Sequence, residues 1–449
     1  MTPTRRQFLT RSSAALAALG LSSTALTRAA WGAEDNDHYF VFAYFEGGWD
    51  HLLALDPRDP AEFRDADMRE TGIQTAYDRL PPQFSRAPID AGPFALGPAA
   101  GDELAALADQ FSVVRGINMA TLTHEVGRRY FITGRAPSGL TARGDAVATL
   151  CAAQLGPDTP VPHLGHATES YNVDQPPFAG ALQVGAVEHV QYILRDTLGL
   201  PTAVPPNVRG ALGAYWAKRT PCSPEAGAGA SRLADQYRDN RARARQVVAS
   251  GLHRAFEFGA AEHAALRARY GLQVGALETP FGRAALAAQA LKSGLSRVVS
   301  VALSTQLDTH DATWATDHPT RLHDGLTALA RLVNDLRESP APGGGSLWSR
   351  TTLVAFSEFG RTARLNERGG RDHLLGNCAL IGGAGVRGGR VFGASGAGLS
   401  PLHVDLATGA PSEAGASLQP EHVLATAMVA AGLDASALRS APLEPLLMG

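Results

Sequence analysis

Lysine is nearly missing from this chain of 449 residues, occurring only at Lys218 and Lys292. With 40 basic and 43 acidic residues the formal charge is −3, so electrostatics imply neither a nucleic acid nor an anionic membrane surface as partner. Cysteine is scarce too: Cys151, Cys222 and Cys378 are far apart and odd in number, which leaves room for one bridge at most and excludes a disulfide framework. No apolar run reaches the roughly 20 residues needed to span a bilayer. There is no Gly-x-Ser-x-Gly elbow and no phosphate-loop signature. Gly383-Ala-Gly385-Val-Arg-Gly388 spells a dinucleotide fingerprint, but Gly389 to Gly393 reads as an extended hairpin arm where a helix is required, so a nicotinamide or flavin site is excluded.

What is present begins with a targeting segment. Thr4-Arg5-Arg6-Gln7-Phe8-Leu9 sets a twin arginine before Ser12 to Leu26, a modestly apolar stretch of Ala, Leu and Ser. This pattern predicts export by the twin-arginine translocase and removal of residues 1–33, with cleavage near Ala33. The mature protein is then expected to be periplasmic or secreted, without a stable membrane anchor. That route carries folded proteins, which agrees with a chain that takes up a metal before export.

Strand and helix signals alternate through the mature chain. His38 to Phe45 is an aromatic-rich strand ending in a polar turn, Glu46-Gly47-Gly48-Trp49-Asp50. Asp102 to Gln110 reads as a helix, Phe111 to Ile117 as a strand, and Thr123 to Phe131 as a helix ending at Thr133-Gly134. Residues 155–230 are dense in Pro and Gly, and Ser231 to Tyr270 is mostly helical; the stretch around 155–275 is expected to be an insertion over one face. Helices follow at Phe281 to Ser293, Thr320 to Arg337 and Glu421 to Leu433, and strands at Arg297 to Leu303, Thr351 to Phe356, Cys378 to Ile381 and Pro401 to Val404. The pattern predicts an α/β fold, a three-layer, doubly wound, mainly parallel sheet in a single domain over 34–449.

In such folds sites form beyond the carboxyl ends of the strands. Glu46 and Asp50 follow the first strand, Thr123 and His124 the second, Asp308 and His310 the strand at 297–303, and Glu358 the strand at 351–356. Asp372-His373 adds two more metal-type ligands behind Gly369-Gly370. Carboxylates and imidazoles gathered on one edge point to a divalent cation. Asp311 is placed to orient His310, Arg361 to meet an anion with its planar fork, and Asp317, His318 and His323 as helix-cap and surface residues.

Gly47-Gly48-x-Asp50, Asp308-Thr-His310, Ser357-Glu-Phe-Gly-Arg-Thr362, Asp372-His373, Gly382-Gly383 and Gly388-Gly389 together resemble the bacterial domain-of-unknown-function family numbered 1501, which is similar to the alkaline phosphatase and sulfatase superfamily. The resemblance implies an alkaline phosphatase-like fold holding divalent metal, with zinc the expected ion, and a small anionic phosphate or sulfate ester as substrate. It implies Glu46, Asp50, Asp308, His310, Glu358, Asp372 and His373 as metal-site residues. It places the superfamily's nucleophile at His124 with Thr123 adjacent. Three nucleophiles stay open: the Thr123 hydroxyl, His124 itself, or a water activated by the metal with His124 as ligand or base. The sulfatase route is closed, because Cys222-Ser-Pro-Glu-Ala lacks the required Ser and Arg. The alternative is a degenerate metal-binding or assembly module that keeps the hydrolase fold.

Overall fold

The computed structural model describes residues 37–195 and 247–448, with a few positions between them. The twin-arginine segment, Cys222 and most of 231–246 lie outside the described residues. Among the described residues no helix is long and apolar enough to cross a membrane.

The first strand, β1 (Tyr39–Phe45), is buried along its whole length, as a strand must be when both of its faces are covered. Tyr39, Val41, Ala43 and Phe45 face one core; Phe40, Phe42 and Tyr44 face the other. The remaining sheet strands in chain order are β2 (Phe111–Asn118), β3 (His163–His166), β4 (Leu182–Val184), β5 (Val298–Ser304), β6 (Thr351–Phe356), β7 (Gly376–Gly383) and β8 (Arg390–Phe392). They form an eight-stranded sheet in the order β8-β2-β7-β6-β1-β5-β3-β4. β1 pairs in parallel with β5 and β6, while β7 runs antiparallel to both its neighbours.

Helices α1 (His124–Thr133), α2 (Val147–Leu155) and α5 (Pro420–Ala430) cover the Phe40 face. Helices α3 (Pro280–Lys292) and α4 (Trp314–Glu338) cover the Tyr39 face. This is the three-layer α/β sandwich expected from the alternation. α3 starts where Thr279 accepts a hydrogen bond from Gly282 N at 3.1 Å with Pro280 behind it, and α1 stops at left-handed Gly134.

Five expectations need correction. The stretch around 155–275 is no mere cover over one face, since β3 and β4 extend the sheet at one edge; their brevity in a Pro/Gly-rich context hid them. Gly389 to Gly393 is not a hairpin arm: β8 pairs in parallel with β2. Pro401 to Val404 shortens to His403–Val404 and pairs with Ala416–Ser417 outside the main sheet. Asp102 to Gln110 breaks into a helix at Gly101–Ala105 and a 3-10 turn at Ala108–Gln110. α4 begins at Trp314, ahead of Pro319; a proline one turn into a helix reads as a start signal from sequence.

Candidate metal centre

Because β1, β2, β5 and β6 share one direction, the loops that follow them meet at one edge. After β1, Gly47 takes φ +107°, and a Cβ there would stand 2.5 Å from Leu307 N, so only glycine lets this loop cross the one after β5. The bend turns the carbonyls of Gly47 and Gly48 toward Arg361. After β5, Gln306 lies in the left-handed region at φ 62° and redirects the chain into Asp308 and His310. After β6, the two-residue strand Gly360–Arg361 pairs with His373–Leu374 and sets His373 opposite Arg361. Helix α1 rests directly on that loop: a Cβ on Gly127 would meet Glu358 O at 2.4 Å. His124, three residues earlier on the same helix face, is thereby held over Glu358.

Four donor atoms converge. Asp308 Oδ1 stands 3.3 Å from His124 Nε2, 2.9 Å from His310 Nε2 and 3.2 Å from His373 Nε2. His310 Nε2 and His373 Nε2 are 3.0 Å apart. Donor atoms of His124, Asp308 and His373 all lie within 4.8 Å of one another. Ligands about 2.0–2.1 Å from a tetrahedral zinc would stand roughly 3.3–3.5 Å apart, a spacing that Asp308 keeps with His124 and His373; His310 lies outside that three-residue group and adjoins Asp308 and His373 from one side.

Each imidazole is oriented by an acceptor on its far nitrogen. His124 Nδ1 is 2.8 Å from Glu358 Oε1, His310 Nδ1 is 2.8 Å from Asp372 Oδ1, and His373 Nδ1 is 2.6 Å from the Leu122 carbonyl. With Nδ1–H donating in each ring, the Nε2 lone pairs point inward, as metal-ligating histidines require. His124 Nε2 is buried, and although Asp308 Oδ1 is 3.3 Å away it makes no well-formed hydrogen bond, so a cation between the two would satisfy both. Burial opposes the His124 imidazolium, but Asp308 and Glu358 outweigh it and raise the ring to about 9. Burial likewise opposes ionisation of Asp308, yet His124, His373 and Arg361 hold its carboxyl far below the usual range. The same negative charges favour a metal cation in place of that proton.

Other predicted site residues fall elsewhere. Glu358, fully buried, accepts from Gly47 N at 2.9 Å and Ser357 Oγ at 2.9 Å as well as from His124, and so stands behind a ligand. Asp372 stands behind His310 in the same way. Asp50 leaves the site altogether: its carboxylate pairs with Arg371 Nε at 2.9 Å and accepts from Trp314 Nε1 at 2.9 Å, with Asp50 and Arg371 both at 0% exposure. No hydrogen bond or ion pair joins the Glu46 carboxylate to the cluster among the described residues.

Arg361 does not wait for an anion. Nε donates to Gly48 O at 3.0 Å, Nη1 to Arg371 O at 3.1 Å and toward His310 Nε2 at 3.3 Å, and Nη2 to Gly47 O and Asp308. Four of the five N–H groups of the guanidinium are thus held by backbone carbonyls and Asp308, and the fifth faces His310 Nε2. Thr123 is the exposed N-cap of α1, and its side chain makes no capping bond. Asp311 caps its own turn through Thr313, leaving the orienting of His310 to Asp372. His318 is no surface residue: it is fully buried between Thr309 Oγ1 at 2.9 Å and Asp50 N at 3.0 Å. Asn366 was not singled out by sequence, although an Asn ahead of Gly369-Gly370 is a turn signal.

Residues 223–443 match the family model described as "Protein of unknown function (DUF1501)". That stretch, just under half of the chain, is similar to the DUF1501 family. The family stretch carries Asp308, His310 and His373, while His124 comes from outside it. No curated protein matches the sequence. Among solved structures the chain is similar to Ps i-CgsB, at 10% identity and a TM-score of 0.37, covering 91% of this chain and 75% of that one. It is also similar to a protein in the alkaline phosphatase superfamily from Vibrio parahaemolyticus, at 10% identity and a TM-score of 0.33, covering 83% and 71%.

Proposed function

We propose that the protein holds one divalent cation, zinc, on His124, Asp308, His310 and His373, and hydrolyses phosphate or sulfate esters outside the cytoplasm after twin-arginine export. The observation that carries this reading is the inward convergence of three Nε2 atoms on Asp308, one of them buried without a well-formed hydrogen bond. The donor set of three imidazoles and a carboxylate suits zinc over harder ions. When bound, such an ion supplies Lewis-acid polarisation of an ester oxygen. The chain's own part is to fix the rings: Glu358, Asp372 and the Leu122 carbonyl hold each Nδ1 proton, and α1 presents the Thr123 hydroxyl at its exposed end beside His124.

A second reading keeps the metal and drops turnover. It is favoured by Arg361, which is fully buried and spends four of its five N–H groups on backbone carbonyls and Asp308. Metal analysis of the protein purified from its native compartment, with turnover of aryl phosphates and aryl sulfates, separates the two. The hydrolase reading expects bound zinc and turnover that a chelator abolishes and zinc restores. Bound zinc without turnover on either ester class selects the second reading. Metal content unchanged in His310→Ala would contradict both.

A further inference from the structure

Asn366 makes more polar contacts at the rim of the metal centre than any role in a surface turn requires. Its Nδ2 donates to the His310 carbonyl at 3.0 Å and to Asp372 Oδ1 at 2.9 Å. Its Oδ1 accepts from Arg368 N at 3.0 Å and Gly370 N at 3.1 Å. Both donors and both acceptor positions of the amide are therefore used, and the identity of the partners fixes which way the amide faces. The backbone closes the same turn, with Asn366 N donating to Gly370 O at 2.8 Å.

The contact with Asp372 gives this geometry its consequence. The Asp372 side chain is 50% exposed, and a carboxylate so open has little packing to hold its rotamer. Yet it must stay 2.8 Å from His310 Nδ1 if that ring is to keep Nε2 turned toward Asp308 and His373. Asn366 anchors it from the side, while its second N–H bond to the His310 carbonyl ties the carboxylate and the His310 backbone to one amide.

We propose that Asn366 is a positioning residue of the metal centre, acting through Asp372 to fix the orientation and tautomer of His310. The inference rests on the metal reading above and is tested separately from it. Asn366→Asp keeps two acceptor positions for Arg368 N and Gly370 N, and with them the turn, but loses both donors and sets a negative charge against Asp372.

Zinc affinity, read by competition with a chromophoric chelator, is expected to fall by roughly 10–100-fold in Asn366→Asp, the usual effect of losing an outer contact to a metal-bound histidine. The ring nitrogen shifts of His310 should change from a single Nδ1–H form to a mixture. Combining Asn366→Asp with Asp372→Asn restores an amide–carboxylate hydrogen bond and returns an oxygen to His310, so the pair should bind zinc more tightly than Asn366→Asp alone. Wild-type affinity with an unchanged His310 ring in Asn366→Asp would overturn the proposal, as would a double variant no better than the single one. A matching fall in the unfolding temperature of metal-free Asn366→Asp would assign the residue to the fold and also overturn it. Failure of the wild type to bind zinc would instead overturn the metal reading itself.

Discussion

Asp308→Asn is expected to purify without zinc and to rebind it at least on the order of a hundredfold more weakly, since the binding free energy of a structural zinc, roughly 10–16 kcal/mol, is shared among about four ligands. Asp308 is the one carboxylate among the four converging donors, and its Oδ1 touches His124, His310 and His373 at once. It is also the carboxylate partner of Arg361, which is fully buried. The asparagine variant is the informative one because its carbonyl still accepts from Arg361 while its charge is gone. Alanine would leave the guanidinium without that partner and mix a folding defect into the measurement. Isothermal titration of chelator-stripped protein with zinc checks the expectation. Wild-type affinity in Asp308→Asn would remove Asp308 from the ligand set.

Asp50→Asn should destabilise the fold by about 3–5 kcal/mol, the effect of breaking a buried ion pair from one side. Asp50 and Arg371 are both at 0% exposure and 2.9 Å apart. Arg371 also donates to Thr362 O at 2.8 Å and Gln74 O at 2.7 Å, and its guanidinium lies 4.7 Å from the centroid of the Trp314 ring. Left without Asp50, that charge has no carboxylate partner among the described residues. Urea denaturation of the metal-free protein measures the loss. Asp50→Leu with Arg371→Met should lose less than Asp50→Asn alone, because apolar groups of similar volume replace a buried pair at little cost. Unchanged stability in Asp50→Asn together with weakened zinc binding would return Asp50 to the metal site.

These two carboxylates show where the sequence was legible and where it was not. Strand patterning located the edge correctly, because β-branched and aromatic runs ending in polar turns mark strand ends whatever surrounds them. It therefore sets His124, Asp308 and His310 on one edge, whereas His373, in the connection between β6 and β7, is reached only through its pairing with Arg361. Direction was not encoded: nothing in the composition of Gly376–Gly383 says that it runs antiparallel. Nor was the rank of each carboxylate. Glu358, Asp372, Asp50 and Asp308 all follow or approach strand ends, and each has the chemistry of a ligand. What separates them is a distant partner: Trp314 and Arg371 for Asp50, His124 for Glu358, His310 for Asp372. Arg361 reads from sequence as a fork for an anion for the same reason, since the carbonyls of Gly47 and Gly48 that occupy it lie more than 300 positions away in the chain. His124 was placed correctly at the head of its helix, but its orienting contact to Glu358 belongs to the packing of α1 on the loop after β6.

Zinc K-edge X-ray absorption on the protein as purified from its native compartment tests the central claim most directly. The account predicts one ion per chain with three imidazole nitrogens and one carboxylate oxygen at about 2.0–2.2 Å. An ion bound by oxygen ligands alone, or no ion retained after dialysis, would contradict it.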